Sequence, residues 1–486
     1  MVSTYWKLEI GDWKLQIRFP ISNFQFRMSN RFPLSLLCVS GLLAFVPALH
    51  AQQTAPQQLQ FAHPPGEAAA PLVITLQDAL DRARKFDVPV QSAITDAAVA
   101  REDRAQARQS LLPTVSNTTQ YLGTQGNGIL PSGRFVTNDG VHVYREWGVA
   151  HEDFTANTFL KTNIRRAQAA QALAAAKVEI AQRGLVVTVT RNYYTLVTNQ
   201  RKYATAQDAL QSAQRFLTMT QQQERAGLVA RADVVKAQLQ FEQQKAAFQE
   251  AVLGMESARL NLAVLLFSGL NENFTVVDDL DSPRALPPFT DIQAMAQHQN
   301  PDLRAAENTL QAATLDIRAA RNAYLPTLAI DANYGIEANA FALNSTVAAN
   351  KEKGVLPNPG YFIVGNFNLP IFDWGTRRSK VRQAEAHEEL ARTQLTQAQR
   401  QVAANLYSFY NEALTAREAV DGLRQASLLA AESLRLVELR YGAGESTALE
   451  VVDAQKTLVD ARNAFDDAQT RYRVALANLQ TVTGSF

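Results

Sequence analysis

Cysteine is almost absent: Cys38 is the only one in 486 residues, so the chain cannot close a disulfide within itself. Beyond the first 51 positions no run of about 18 apolar residues occurs, which excludes a membrane-spanning helix from the body of the chain. Neither sign of charge is in excess. With 19% charged residues and a net charge of +1, the surface is not that of a nucleic-acid binder. The six histidines are scattered, and His387-Glu388-Glu389 does not set a metal pair on one helical face. No glycine-rich loop follows a strand pattern, so a phosphate cradle is missing too. Neighbouring acidic residues read as solvated helix faces. Enzyme chemistry, metals and cofactors are therefore not expected.

One apolar stretch stands out, Leu34 to Val46. It follows Met28 and Arg31 and runs into the small residues Ala48 and Ala51. That is too short to span a bilayer and has the basic, apolar and small-residue sections of a secretory signal. Met28 is the natural start, which makes residues 1–51 an upstream extension plus a signal peptide cut near Ala51. A lipid anchor on Cys38 is rejected, because Leu37 stands where a lipoprotein signal needs a small residue. Residues 52–71 then form a flexible linker.

What the sequence does contain is one unit written twice. The block from Ala107 to Thr114 returns from Ala320 to Thr327, a shift of 213 residues between Thr114 and Thr327. Ala226-Gly227 through Gln238 returns as Ala443-Gly444 through Gln455, a shift of 217 residues between Gln238 and Gln455. The first copy spans 72–270, the second 290–486, and an Asp- and Pro-rich segment, 271–289, joins them. Each copy opens with a helical stretch, about 75–112 and 290–325, stopped by Leu-Pro.

A strand pattern follows each stop. Leu328, Ile330, Ala332, Tyr334 and Ile336 alternate with Thr327, Ala329, Asp331, Asn333 and Gly335. A period of two fits a wall with lipid on one side and water on the other. After a loop over about 339–360, Tyr361, Ile363, Gly365, Phe367, Leu369 and Ile371 give a second strand. Tyr334 and Tyr361 suit a membrane interface. The first copy is less regular: Val115 to Leu122 is half polar, and His151 and Asp153 interrupt the run after Trp147. Two half-buried hairpins on a soluble protein is the competing reading.

The remainder of each copy is helical with a seven-residue repeat. Val189, Leu196, Tyr203, Leu210 and Leu217 form one track; Leu406, Ala413, Val420, Ser427, Leu434 and Tyr441 form its counterpart. Phe241, Phe248, Met255 and Leu262, and then Leu458, Phe465, Tyr472 and Leu479, mark the returning helices. Sustained sevens mean coiled-coil packing, and residues 161–226 would make a rod of roughly 100 Å. Open sheet edges cannot remain in lipid, and four strands fall short of the about eight needed for the smallest barrels. Two chains would supply a filled barrel, three a small pore. An oligomer follows, of either size.

Taken together, these features resemble the TolC family of outer-membrane efflux and secretion channels. The carriers are the duplicated helix–hairpin–helix order, Leu325-Pro326, and Leu369-Pro370-Ile371-Phe372-Asp373-Trp374-Gly375 followed by Arg377-Arg378. Ala226-Gly227-Leu228, Tyr441-Gly442-Ala443-Gly444 and Leu449-Glu450-Val451-Val452-Asp453-Ala454-Gln455 belong with them. The resemblance implies a mainly α fold with a smaller β part. Three chains would build a twelve-strand barrel, four strands from each, in the outer membrane of a Gram-negative-type bacterium. A periplasmic α-helical coiled-coil barrel continues it. It also implies a homotrimer, with a periplasmic adaptor and an inner-membrane pump docking at the far end, for small-molecule efflux or type I secretion. A periplasmic coiled-coil scaffold or adaptor without a pore is the alternative.

Gly227 and Gly444 read first as helix C-terminal caps. The resemblance adds that Gly227, Leu228 and Gly444 receive the adaptor; Glu445 departs from the small–Gly–apolar pattern. Glu450 and Asp453 share a helix face, and Thr447-x-x-Glu450 reads as a capping box. By resemblance both carboxylates line the constriction, where rings of negative charge favour cations. Asp233 and Tyr441 fit the hydrogen bond that holds the family's entrance shut, and Ser446 stands where a closing arginine is expected.

Overall fold

A computed structural model of the chain describes residues 71–124, 141–269, 273–282, 284–338, 346–348, 355–357 and 359–484, with two short strands before them. Those strands, β1 (Glu9–Ile10) and β2 (Trp13–Lys14), pair antiparallel within a first unit, Met1–Leu59. The signal-peptide and linker expectations otherwise lie outside the described residues. The second unit, Gln60–Phe486, carries everything below.

Its first repeat runs β3 (Leu72–Ile74), α1 (Leu76–Phe86), α2 (Val88–Gln109), β4 (Thr114–Thr124), β5 (Val141–Phe154), the single turn α3 (Ala156–Phe159), α4 (Thr162–Arg225) and α5 (Arg231–Leu266). The second runs β6 (Phe274–Val276), α6 (Phe289–Gln299), α7 (Pro301–Asn322), β7 (Thr327–Ala338), β8 (Thr346–Ala348), β9 (Val355–Pro357), β10 (Gly360–Asn368), α8 (Thr376–Gly442) and α9 (Ala448–Thr483). Helix lengths of 11, 22, 64 and 36 residues answer 11, 22, 67 and 36, so the duplication extends to the architecture.

Each opening helical stretch, expected to be continuous, is two helices. The break falls where a proline follows one or two residues later. Asp87 caps α2 ahead of Pro89, its carboxylate accepting from the Val90 amide at 2.9 Å. Asn300 caps α7 ahead of Pro301, accepting from the amides of Asp302 and Leu303. Proline tolerates the first turn of a helix but not its interior, so the pattern that stops one helix starts the next.

The sheet order is β10-β7-β5-β4, all antiparallel. Thr114 faces His151, Phe154 faces Leu328, and Thr327 faces Asn368, so all four strand ends that join helices lie at one end of the sheet. The helices leave in the same lateral order: α2 packs on α4, α4 on α7, and α7 on α8. Sheet and helical layer thus share their outer members, β4 with α2 and β10 with α8. His151 and Asp153, read as an interruption, lie within β5. The last strand is shorter than its alternation suggested: β10 stops at Asn368, because Pro370 denies the ladder a donor.

The heptad tracks are where the helices pack. Val189, Leu196, Leu217, Leu406, Ala413, Leu434, Tyr441, Leu262, Tyr472 and Leu479 are all buried. Alanines at 213, 237, 413 and 416 are fully covered, which lets the helices approach closely. A core around Tyr193, Tyr194 and Leu262 unites α1, α4, α5, β3 and β6; a second, around Ile292, Leu406 and Leu479, unites α6, α8 and α9. The β3–β6 parallel pair, invisible in the sequence, fixes the inter-repeat segment onto the first core.

Candidate functional site

Two ends of the second unit bear on function, and α4 or α8 spans about 100 Å between them. At the helical tips, α4 ends in a left-handed Gly227 (φ +74°) and α8 in a left-handed Gly444 (φ +78°). In both, the residue after the glycine donates back five positions: Leu228 to the Gln223 carbonyl at 2.9 Å, Glu445 to that of Arg440 at 2.8 Å. These are the Schellman caps the sequence suggests. Leu228 lies 75% exposed beside its glycine, an apolar side chain with no core to enter.

Behind the turns the two repeats meet. Phe216, Leu217, Val234, Ala237, Tyr441, Ala448 and Val451 form one buried cluster drawn from α4, α5, α8 and α9. Tyr441 is its centre, 5.1 Å from Phe216 ring to ring, with its hydroxyl 3.3 Å from Thr220 Oγ1. Asp233 flanks the same cluster, half-buried and next to Val234. Within the chain, therefore, the hydroxyl of Tyr441 meets Thr220 and not Asp233.

Glu450 and Asp453 stand exposed in the first two turns of α9. The capping box is only half formed. Thr447 Oγ1 accepts from the Glu450 amide, but the Glu450 carboxylate takes the hydroxyl of Ser446 at 2.6 Å and that of Thr447 at 3.3 Å instead of the Thr447 amide. Ser446, noted in sequence only as a missing arginine, thus has a role of its own. Its hydroxyl is the main reason that the Glu450 carboxyl titrates below the usual range, with Thr447 and Arg440 adding to it.

The sheet at the other end has two unlike faces. Directly paired residues share a face, so Val115, Tyr121, Phe154, Leu328, Ile330, Tyr334, Tyr361, Ile363 and Phe367 fall on one side, which is mainly apolar but also carries Glu146 and Glu152. Val115, Tyr361, Ile363 and Phe367 are between 66% and 80% exposed, an apolar surface without a partner among the described residues. The opposite face carries Gln120, Arg145, His151, Asp153, Asp331, Asn333 and Glu337. There Arg145 bridges Gln120 and Glu337 at 3.2 and 2.9 Å, and His151 bridges Asp331 and Asp153 at 2.6 and 3.2 Å. Trp147 meets Phe362 edge to face over Gly335. No helix among the described residues is long and apolar enough to cross a membrane.

Sequence reasoning missed the middle of the unit. Arg201 of α4 donates to Asp278 at 2.5 and 2.7 Å, to Asp281 at 2.8 Å, to Asp466 at 3.1 Å and to Gln469 at 2.9 Å. Arg473 donates to the carbonyls of Asp279 and Ser282, and Tyr193 to that of Val277 at 2.7 Å. The inter-repeat segment is thus strapped to α4 and α9. Burial pushes the Asp466 carboxyl above its ordinary value despite Arg201 beside it, and burial raises the Tyr194 hydroxyl to about 12. Each donor is distant in sequence from its acceptors, and no local signal could have paired them.

Among the described residues the four-stranded sheet is continuous with a helical layer and has β4 and β10 at its edges. Residues 157–266 and 293–485 match the outer membrane efflux protein family, and the chain belongs to it. Outer membrane protein TolC of Escherichia coli K12 is 27% identical over 312 residues, which cover 63% of this chain and 62% of that protein. The chain thus spans about three-fifths of that relative. TolC of Vibrio cholerae is 24% identical over 416 residues, covering 84% of this chain and 90% of its own. The solved Campylobacter jejuni CmeC outer membrane channel matches the fold with a TM-score of 0.72 at 18% identity, over 84% of this chain and 85% of that one.

Proposed function

We propose that three copies of this chain form a passive export duct through the outer membrane. Twelve strands would make the barrel and the helical layers a periplasmic tunnel. The observation that carries this reading is the shared lateral order of strands and helices. Because β4/α2 and β10/α8 are the free edges at both levels, a single kind of contact between copies would close barrel and tunnel at once. Closure satisfies the backbone groups that lipid cannot. Three copies leave an opening that two would fill. The apolar face would then meet lipid, and Arg145, His151, Asp331 and Glu337 would face the water of the lumen.

Export through such a duct requires no bond chemistry, so the reading is of a conduit and not an enzyme. An inner-membrane pump and a periplasmic adaptor would supply energy and cargo, and the family name favours efflux. The adaptor would dock on Gly227, Leu228 and Gly444, where Leu228 offers an apolar contact. Glu450 and Asp453 would ring the entrance and favour cations, while the cluster around Tyr441, with Asp233 at its margin, would hold it narrow. A scaffold without a pore leaves the exposed apolar face without a purpose.

The test is conductance of the purified protein in planar bilayers, with carbonate washing of membranes beforehand. Carbonate-resistant, cation-preferring currents are expected, and Glu450→Gln with Asp453→Asn should lower the cation preference. A monomer soluble without detergent and silent in bilayers would end the proposal; unchanged selectivity in the double variant would end only the entrance-ring assignment.

A further inference from the structure

Where the sheet gives way to helices, a cavity of about 570 Å³ opens between the start of α4 and the end of α7. Phe159, Leu160, Lys161, Arg165, Arg318 and Arg321 line it. Four cations border one cavity, and the nearby acids do not neutralise them all: Asp316 is taken by Arg166 at 2.6 Å and Glu385 by Arg321 at 2.9 Å. Lys161, Arg165 and Arg318 have no ion-pair partner among the described residues. The cavity's base is ordered. Asn322 donates to Asn157 at 2.7 Å and to the buried Thr162 hydroxyl at 3.2 Å, which locks the end of α7 against the start of α4. Lys161 itself is held at φ +54°, a conformation that a non-glycine residue adopts only under constraint.

The rim is as informative as the charge. Phe159 and Leu160 are 70% and 55% exposed, and Phe159 stacks on Phe154 with ring centroids 5.9 Å apart. Phe154 pairs with Leu328 and belongs to the apolar face of the sheet. The cavity is therefore continuous with the face that would meet lipid, at the level where the sheet ends. It also sits between the two inner helices of the lateral order, α4 and α7, away from the edges through which copies would join.

Resting on the duct reading, we propose that this cavity is a binding site for an anionic phospholipid of the inner leaflet. The recognised feature is a phosphodiester whose headgroup carries no cation of its own, so that its negative charge is left for the protein to neutralise. Guanidinium forks at Arg165 and Arg318 match its two non-bridging oxygens, Lys161 adds a third positive charge, and the Phe159–Leu160 shelf lies along the start of the acyl chains. Free inorganic phosphate shares the oxygens but not the shelf. A basic pocket at this depth is a general device for holding acidic headgroups, and it would fix the height of the barrel in the membrane.

The experiment is native mass spectrometry of the purified full-length assembly, titrated in detergent with phosphatidylglycerol, with phosphatidylcholine and with inorganic phosphate. Phosphatidylglycerol should be retained at one per protomer and at least about ten-fold more strongly than phosphatidylcholine, with phosphate bound weakly. Arg165→Gln with Arg318→Gln should erase that preference, and Arg165→Lys with Arg318→Lys should keep part of it, since charge remains and the forks do not. The lysine pair also serves if the glutamine pair fails to assemble. Equal retention of the two lipids by the wild type, retention of phosphatidylglycerol by the glutamine pair at the wild-type level, or phosphate binding as strong as the lipid's would each overturn the site. Absence of bilayer currents from the same wild-type preparation would instead sink the duct reading, so the two failures are separable.

Discussion

Arg201→Met removes the one cation shared by Asp278, Asp281 and Asp466. The three carboxylates are not equivalent. Asp278 and Asp281 keep 39% and 71% of their side-chain surface in water, and such pairs are each worth up to about 1 kcal/mol. Asp466 keeps 9%, and stranding a buried charge costs about 3–5 kcal/mol. That cost has a ceiling, because the carboxyl can escape by taking a proton. From a reference value of 3.8, at about 1.4 kcal/mol per pH unit, escape costs about 1.7 kcal/mol at pH 5 and about 6 kcal/mol at pH 8. The sign follows from linkage: in the variant the folded state holds a proton on Asp466 that the unfolded state releases, so stability is lost as pH rises above the unfolded value. The variant should be destabilised by about 2 kcal/mol at pH 5 and about 4 kcal/mol at pH 8, the wild type changing far less. Denaturant unfolding followed by far-ultraviolet circular dichroism reads the difference, and Asp466→Leu added to the variant should remove the pH dependence. Equal destabilisation at both pH values would refute the argument.

Gly335→Ala should be far more damaging than an alanine at an ordinary strand position, because its Cβ would lie 1.9 Å from the Glu146 carbonyl oxygen across the β5–β7 ladder. Loss of the proposed trimer on a semi-native gel checks it, and assembly at the wild-type level would show that the two strands can spread. Gly227→Ala and Gly444→Ala meet no neighbouring atom but force alanine into a left-handed turn, at about 1–2 kcal/mol each. Hydrogen exchange should rise in the turns and the last helical turns before them while the global melt stays put; a change in the melt alone would contradict this.

Local periodicity carried most of the fold into view. Sevens such as Val189-Leu196-Tyr203 identify helices that need a partner along their whole length, and twos such as Leu328-Ile330-Ala332 identify a strand with unlike faces. Both are properties of neighbouring residues. The tips were legible for the same reason: Gly227 and Gly444 end runs of helical residues, and Thr447 stands three before Glu450. What local pattern cannot encode is the choice among polar partners. Ser446 and the Thr447 amide compete for one carboxylate, and the hydroxyl wins by 2.6 Å geometry that the sequence does not contain. The hydroxyl of Tyr441, which the family pattern suggests for Asp233, goes to Thr220 because Phe216 fixes the ring one helical turn away.

The strap shows why the middle of the chain resisted reading although it is the most densely cross-linked part. Asp278, Asp281 and Arg284 stand in a Pro-rich segment whose composition says loop, and loops are ordinarily solvated. Here Arg201 and Arg473, 272 residues apart in sequence, reach the segment from α4 and α9 and bind the carboxylates of Asp278 and Asp281 and the carbonyls of Asp279 and Ser282. Toward the tips the same two helices share one exposed ion pair, Arg462 with Asp208 at 3.7 Å, and at the tips seven buried side chains and one hydroxyl pair hold the repeats together. Directional bonds resist sliding and apolar contacts tolerate it, so the joint between repeats is stiffest at the strap and most yielding at the tips, the end at which the proposed duct would open.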